Sequence, residues 1–172
     1  MSYKHRDLFL PKKRYAHLQG ALERFGGWMN VIDIMTPKPV TILHTANLGK
    51  ALHLMEETGC RHLPVLSLEG HLVGIVSDRD CRLALDSPHI LRERWQDELV
   101  LEETRVVNIM TPAPIIAEEF MPAHEAARLM LDNHISALPV MRGETLTGII
   151  TVTDIVRAFI YSETRKAKFP VE

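Results

Sequence analysis

An internal repeat constrains the fold of this 172-residue chain more than any other feature of its sequence. Residues 31–40, VIDIMTPKPV, return as residues 106–115, VVNIMTPAPI, at an offset of 75 positions. The same offset places the Leu-Pro-Val triplet at 63–65 on the Leu-Pro-Val triplet at 138–140. One residue is then lost where both copies have a turn, a change that a fixed structural unit tolerates. Such a duplication predicts two units packed face to face, since neither copy alone has enough apolar surface for a stable core.

Each copy also contains one phrase: Gly, two β-branched residues, a hydroxyl residue, two variable positions and Asp, at residues 74–80 and 148–154. A hydroxyl residue followed three positions later by an acid, directly after a strand, is typical of a capping box that starts a helix. A helix N-terminus at a strand end is also a ready anion site, and a carboxylate there can accept hydrogen bonds from ribose hydroxyls. The two interpretations are compatible. Under the second, the candidate ribose and phosphate ligands are Ser77, Asp80, Thr151 and Asp154.

The order of elements in each copy predicts an α+β fold. A Thr-Pro-x-Pro segment must begin extended, and a helix, the Leu-Pro-Val strand, a second strand and a second helix follow it. The predicted unit is therefore β-α-β-β-α, and two such units pack as a pseudo-twofold pair. In the second copy, Pro122 suits the first position of the helix. The predicted segments are an N-terminal helical extension (1–30), the first repeat (31–85), a helical linker (86–105), the second repeat (106–160), and a C-terminal helix end and tail (161–172).

The segments outside the repeats are predicted to be helical. Apolar residues at helical spacing predict an amphipathic helix from about residue 12 to residue 25. Its basic face is either a phosphate-contacting arm or the solvated face of a packing helix, and solvated basic faces are the commoner case. In the linker, Leu91, Trp95 and Leu99 lie four residues apart, which also favours a helix.

The two Thr-Pro-x-Pro segments offer a candidate adenine site. Extended backbone without a strand partner has N–H and C=O groups that can read the edge of a base, with Ile34, Val40, Ile109 or Ile115 against the ring. The same prolines could instead serve only as a rigid entry into the domain. The candidate cleft residues are Thr36, Pro37, Lys38, Pro39 and Val40 in the first copy and Thr111, Pro112, Ala113, Pro114 and Ile115 in the second.

Composition argues against several classes of protein. The formal net charge of −2 gives no basic signature for nucleic acid or a membrane surface. No apolar run approaches the roughly 20 residues that span a bilayer. The polar, basic first residues lack a signal core, and two cysteines without close spacing fit a reducing cytoplasm. We therefore expect a cytoplasmic protein that binds neither nucleic acid nor membranes.

Familiar catalytic motifs are missing from the sequence. His124 and Glu125 begin like a zinc-protease helix, but Arg128 stands where that motif needs its second histidine. The sequence has no Gly-x-Ser-x-Gly elbow and no phosphate loop ending in Gly-Lys-Ser/Thr. We therefore expect a protein that is not an enzyme and holds no metal.

The doubled motifs resemble the CBS domain, named after cystathionine β-synthase, here as a tandem pair or Bateman module of the stand-alone bacterial type. Met-Thr-Pro, Leu-Pro-Val and the Gly-to-Asp phrase each occur twice in the same order, and the resemblance covers residues 31–85 and 106–159. It implies paired clefts that bind an adenosine derivative such as AMP, ADP, ATP, NAD or S-adenosylmethionine. It also implies a homodimer with a flat disc of four repeats and a regulated protein partner.

The resemblance also implies that the position before Leu-Pro-Val faces the cleft, where it can neutralise phosphate. The first copy has Arg61 and His62 there, and the second has Ser136 and Ala137. We therefore expect unequal clefts, with phosphates near the first-copy residues Arg61, His62 and Lys38. Arg79 is a further phosphate-neutralising candidate, although it could instead pair with Asp78 on the surface.

Two hypotheses about function follow. The first is a regulatory module that senses the energy or redox state of the cell by binding an adenosine nucleotide. The alternative is a structural subunit that docks a partner enzyme or transporter and leaves its clefts empty of nucleotide.

Overall fold

Two four-stranded sheets and the helices that cover them make up the fold. The computed structural model describes residues 29–85 and 94–168, so the predicted helix at residues 12–25 lies outside the described residues. In chain order the elements are α1 (Val31–Ile34), β1 (Thr36–Pro37), β2 (Ile42–Leu43), α2 (Leu48–Thr58), β3 (His62–Leu66), β4 (Leu72–Ser77), α3 (Asp78–Leu85), α4 (Arg94–Glu103), a 3-10 turn (Val106–Asn108), β5 (Thr111–Pro112), β6 (Ala117–Glu118), α5 (Ala123–Asp132), β7 (Ala137–Arg142), β8 (Thr145–Thr151) and α6 (Val152–Lys168). The predicted α+β class is confirmed.

Each sheet takes one strand from the other repeat. The strand orders are β2-β3-β4-β5 and β1-β8-β7-β6. Strand β1 of the first repeat therefore pairs with β8 of the second, with Thr36 opposite Ile149. In the same way β5 of the second repeat pairs with β4 of the first, with Thr111 opposite Ile75. The prediction of one strand before the first helix of each copy was wrong, because two short strands stand there and they belong to different sheets.

A backbone turn between the two short strands separates them. Lys38 and Ala113, at equivalent positions, have φ angles of 48° and 44°, in the left-handed region that non-glycine residues rarely adopt. The turn redirects the chain after each Thr-Pro pair, so that β2 and β6 run parallel to β3 and β7. The sequence carried no glycine at these positions to indicate such a turn.

The short helical segment at the start of each repeat, which is α1 in the first and the 3-10 turn in the second, is also exchanged. The N–H groups of Val31 and Ile32 donate to the carbonyls of Met121 and Glu119, both at 2.8 Å. The equivalent bonds run from Val106 to Ala46 at 2.8 Å and from Val107 to His44 at 3.1 Å. The exchanged segment is thus held by the same pair of backbone bonds in both halves.

Two hydrophobic cores result, and each contains residues of both repeats. The first unites Val31, Ile34 and Met35 with second-repeat residues such as Leu138 and Ile150. The second places Val106 among buried residues of the first repeat, which include Leu48, Leu63, Val65 and Val76. Burial of apolar surface is the main favourable contribution to folding, so neither repeat completes its core alone.

The glycine of each phrase is required by this exchange. A Cβ atom on Gly148 would meet the side chain of Met35, whose Cγ and Cε atoms would lie only 3.1 and 3.2 Å away. A Cβ on Gly74 would meet the Met110 side chain and would lie 3.1 Å from the backbone oxygen of Thr111. The phrases therefore begin with glycine because a methionine of the other repeat lies directly against them.

The remaining helices begin and end with ordinary capping. The Asn47 side chain accepts a hydrogen bond from the Lys50 N–H at 2.9 Å at the start of α2, and Gly59 ends that helix at a φ of 66°. Helix α5 begins at Ala123, so Pro122 is its N-cap and does not hold the predicted first helical position. The predicted linker helix is present as α4, and the predicted residues before Arg94 lie outside the described residues. No helix in the described ranges is long and apolar enough to cross a bilayer.

A Gly148→Ala substitution tests the methionine contact. We expect it to lower the free energy of unfolding by about 1–3 kcal/mol, because the added methyl group overpacks the site occupied by Met35. Urea denaturation followed by circular dichroism measures the change. In a Met35→Ala background the cost of Gly148→Ala should fall close to zero.

Gly49→Ala is the matched control. Its added Cβ would meet no atom closer than 3.5 Å, and alanine is the better helix former, so stability should stay equal or rise. If Gly148→Ala lowered the free energy of unfolding equally in the wild-type and Met35→Ala backgrounds, the contact with Met35 would not be the reason for the glycine.

Candidate functional site

The two phrases form capping boxes at the starts of α3 and α6. The Asp80 carboxylate accepts hydrogen bonds at Oδ2 from the N–H and hydroxyl of Ser77, at 2.8 and 2.6 Å. The Asp154 carboxylate accepts the same two bonds from Thr151, at 2.9 and 2.7 Å. The aspartate N–H groups point back to the two hydroxyl oxygens, at 3.3 and 3.4 Å. The helix-start interpretation is confirmed, with each hydroxyl residue one position before its helix.

The two carboxylates differ in burial. Asp154 is only 5% exposed, whereas Asp80 is half-buried. Each carboxylate lies at a helix N-terminus, where the helix dipole favours negative charge. The boxes therefore fix two carboxylates in place at the ends of β4 and β8.

The strand exchange makes both clefts composite. The cleft at Asp154 and Thr151, which we call the Asp154 cleft, has a volume of about 340 Å³. The first repeat contributes Thr36, Lys38, Pro39 and Val40 to its lining, together with residues 59–62.

The second cleft, which we call the Asp80 cleft, has a volume of about 580 Å³ and contains Ser77 and Asp80. The second repeat contributes Thr111, Ala113, Pro114 and Ile115 to its lining, together with residues 133–137. Each predicted Thr-Pro-x-Pro segment thus faces the aspartate of the other copy.

Some predicted cleft residues lie elsewhere. Pro37 and Pro112 pair with Gly148 and Gly74 in the sheets and do not line either cleft. Ile34, proposed above as a base neighbour, is 1% exposed in the core. Of the four apolar candidates, only Val40 and Ile115 line a cleft.

The backbone of these segments is also less available than the sequence suggested. The Lys38 N–H donates to the Thr147 carbonyl at 2.9 Å, and the Ala113 N–H donates to the Val73 carbonyl at 3.2 Å. The prediction of an unpaired extended segment was therefore wrong for its first half. Residues 38–41 and 113–116 lie outside the strands. Of these, Lys38, Pro39 and Val40 line the Asp154 cleft, and Ala113, Pro114 and Ile115 line the Asp80 cleft.

Arg61, His62 and Ser136 line both clefts. These residues stand where the two repeats meet about their pseudo-twofold axis, and His62 Nε2 lies 3.0 Å from Ser136 Oγ. The backbone holds them there, since the Arg61 carbonyl accepts from Asp78 N–H and the Ser136 carbonyl accepts from Val152 N–H, both at 3.0 Å. The positions at which the two copies diverge thus lie between the clefts.

The charges around the two clefts are unequal. The cations of the Asp154 cleft are Lys38, Arg61 and Arg157. In the Asp80 cleft, Ala113 takes the place of Lys38, and the cations are Arg61 and Arg79.

The carboxylates reinforce this difference. Asp154 is the carboxylate of its own cleft, whereas the Asp80 cleft contains both Asp80 and Asp78. Asp78 pairs with Arg82 at 3.0 Å, which leaves the alternative pairing of Asp78 with Arg79 unsupported. The Asp154 cleft is consequently the more cationic of the two.

Arg157 was not among the predicted site residues. It follows Asp154 by three positions on α6, a spacing that places both side chains on one face of a helix. That spacing was visible in the sequence, but the equivalent residue of the first copy is Leu83, so the repeat comparison did not single it out.

The surroundings of His62 favour the neutral form of its imidazole. Burial and the positive charge of Arg61 lower its pKa below the usual 6.5, and the carboxylates of Asp80 and Asp78 only partly oppose them. A neutral imidazole can either donate to or accept from the Ser136 hydroxyl.

The described residues contain no group of three or more His, Cys, Asp or Glu side chains that could hold a metal ion. Cys60 lines the Asp154 cleft, and its sulfur accepts a hydrogen bond from the Thr58 hydroxyl at 3.1 Å. Both Cys60 and Cys81 are free thiols.

Comparison with known proteins identifies the architecture. The family model of the CBS domain matches residues 31–87 and again residues 106–161. The chain belongs to the CBS-domain family. A CBS domain-containing protein of Dictyostelium discoideum is 36% identical over 132 residues, which cover 76% of this chain and 90% of that protein.

Solved CBS pairs have the same fold. The structure of CBSX2 in complex with AMP is 33% identical, with a TM-score of 0.65 over 78% of this chain and 98% of that one. A second CBS domain pair, in complex with 5′-methylthioadenosine and S-adenosyl-L-methionine, is 27% identical, with a TM-score of 0.68 over 79% and 99% of the two chains.

The neutral His62 predicts a pH dependence of stability. Because its pKa is lowered on folding, its contribution is fully present above the unfolded pKa of about 6.5 and is lost as the pH falls through the folded pKa. We expect the thermal midpoint to fall as the pH is lowered from 7.5 to 5.5, and to fall less steeply in His62→Gln. Differential scanning calorimetry across this range makes the comparison.

His53→Gln is the matched control, since His53 lies on the exposed face of α2 beside Glu57. An identical pH profile for His62→Gln and His53→Gln would contradict the assignment to His62.

Proposed function

We propose that this protein is a non-catalytic regulatory module that binds adenosine derivatives in the Asp154 and Asp80 clefts. One observation carries the proposal: each cleft opposes a helix-start carboxylate on one repeat to a Thr-Pro-x-Pro segment of the other. The resemblance to CBS pairs solved with AMP, 5′-methylthioadenosine and S-adenosyl-L-methionine supports this class of ligand.

The capping boxes suggest a role for each side chain. Because the Ser77 and Thr151 hydroxyls donate to Oδ2 of the aspartates, they would orient the carboxylates and leave phosphate binding to other groups. The carboxylates of Asp80 and Asp154 would accept hydrogen bonds from the ribose hydroxyls. Val40 and Ile115 would pack against adenine in the Asp154 and Asp80 clefts.

The unequal charges suggest a preference for each cleft. Lys38, Arg61 and Arg157 would favour a phosphorylated ligand such as AMP, ADP, ATP or NAD in the Asp154 cleft. In the Asp80 cleft, Arg79 and Arg61 face two carboxylates, which would suit a less anionic adenosine derivative such as S-adenosylmethionine.

Regulation would follow from the composite clefts. A ligand that contacts both repeats binds one relative arrangement of them better than another, and so shifts the population toward it. A protein partner that touches both repeats would respond to that shift. The free thiols Cys60 and Cys81 suit a protein that acts in the reducing cytoplasm.

Isothermal titration of AMP, ATP, NAD and S-adenosylmethionine tests the proposal. Asp154→Ala and Asp80→Ala should each weaken one site roughly 10- to 100-fold, because each removes hydrogen bonds to a charged group. The double variant should lose both sites and keep its circular dichroism spectrum.

Asp132→Ala, an exposed aspartate on α5 that lines neither cleft, is the matched control and should bind as the wild type does. If none of the four compounds bound to the wild-type chain, the nucleotide hypothesis would fail and the alternative of a docking subunit would stand.

We further propose that two copies associate into a disc of four repeats. Helix α6 exposes Val152, Val156, Phe159 and Ile160, which are 43%, 48%, 64% and 57% exposed. Their spacing gives one apolar stripe, and contiguous exposed apolar surface of this kind is typical of association.

Phe159→Asp should shift the chain from dimer to monomer in sedimentation velocity, because it places a charge within that stripe. Phe120→Asp is the matched control, since Phe120 is 70% exposed in the loop between β6 and α5. A wild-type chain that sediments as a monomer at micromolar concentration would contradict the dimer.

A further inference from the structure

We propose that Arg61 is a single phosphate-binding group shared by the two clefts, so that a phosphorylated ligand in one cleft weakens phosphate binding in the other. This inference rests on the proposed function and adds a coupling between the two sites. It concerns the phosphate of the ligand and not its adenosine part.

The position of Arg61 is the first observation. It stands directly before the start of β3, where the two clefts adjoin, and it lines both of them. Its carbonyl accepts the Asp78 N–H at 3.0 Å, which ties its backbone to the start of α3, two residues from Asp80. Its side chain is exposed, so the guanidinium can reach toward either cleft.

The second observation is that an uncharged residue occupies the position related to Arg61 by the pseudo-twofold axis. Ser136 occupies the equivalent position at the start of β7, and its carbonyl accepts the Val152 N–H at 3.0 Å, two residues from Asp154. Ser136 also lines both clefts, but it has no charge. The fold therefore provides two equivalent positions between the clefts, and the sequence fills only one of them with a cation.

A guanidinium makes its strongest contact with phosphate as a bidentate pair, which it forms with one phosphate at a time. Two ligands that each hold their ribose at an aspartate beside the axis would both direct phosphate toward Arg61. The second ligand to bind would meet an arginine already engaged, together with the negative charge of the first phosphate.

The competition is unequal because the other cations are unequal. The Asp154 cleft keeps Lys38 and Arg157 when Arg61 is engaged elsewhere. The Asp80 cleft keeps Arg79 and faces the carboxylates of Asp78 and Asp80. The Asp154 cleft therefore fills first with a phosphorylated ligand. The Asp80 cleft then has to bind its ligand without a contact to Arg61.

Isothermal titration with AMP, and with adenosine as the phosphate-free reference, tests the coupling. In Asp154→Ala the neighbouring site is weakened, so the first titration step gives the affinity of the Asp80 cleft before its neighbour fills. The second step of the wild-type titration gives its affinity with the neighbour filled. We expect the second value to be weaker by roughly 5- to 150-fold for AMP, the usual range of coupling between sites. For adenosine the two values should agree within about twofold, by the same linkage.

Two variants identify the residue. Arg61→Gln should weaken AMP binding in both clefts and abolish the coupling. Ser136→Arg supplies the missing cation, so it should strengthen the second AMP step and also reduce the coupling. Arg128→Gln, on the exposed face of α5 and outside both clefts, is the matched control and should keep the wild-type coupling.

The outcomes separate this inference from the proposed function. Absence of AMP binding to either cleft would overturn both. Two AMP sites that fill independently in the wild type, or a coupling unchanged in Arg61→Gln, would overturn the shared-arginine inference and leave the proposed function intact.

Discussion

The contact of each Met-Thr-Pro segment with the opposite repeat is the constraint on which the rest of the structure depends. Met35 lies against Gly148 and Met110 lies against Gly74, at points where a single added carbon would collide with the neighbouring side chain. These contacts allow β1 to pair with β8 and β5 to pair with β4. The pairing in turn carries the following Lys38 and Ala113 turns across to the opposite aspartates, and so creates the clefts.

Much of the fold could be predicted because duplicated motifs report on the architecture directly. The α+β class, the pairing of two units and the capping boxes of Ser77 and Thr151 follow from local patterns, which the structure reproduces. The exchange of strands between the repeats could not be predicted from one sequence. A two-residue strand such as Thr36–Pro37 is too short to show a periodicity, and its residues do not indicate which strand it pairs with. The positive φ of Lys38 could not be predicted either, because neither copy has at this position the glycine that usually indicates such a turn.

The residues of the candidate site were likewise predictable only in part. The aspartates and the divergent Arg61 were visible because they stand at equivalent positions of the two copies. Arg157 was not, because its counterpart Leu83 is apolar. Which Thr-Pro-x-Pro segment faces which aspartate depends on the exchange, and only the three-dimensional structure supplies that information.

The composite walls also limit how the two copies can diverge. The extra positive charge of the Asp154 cleft comes from Lys38 in the first copy and from Arg157 in the second. A substitution in one copy therefore alters half of one cleft, and at Arg61 it alters both at once. The repeat that is duplicated in the sequence is therefore not the unit that binds a ligand, because each cleft needs residues from both repeats. A single substitution in one copy, as at Lys38 and Ala113, therefore makes the two clefts unequal, whereas changing both walls of one cleft takes substitutions in both halves of the chain.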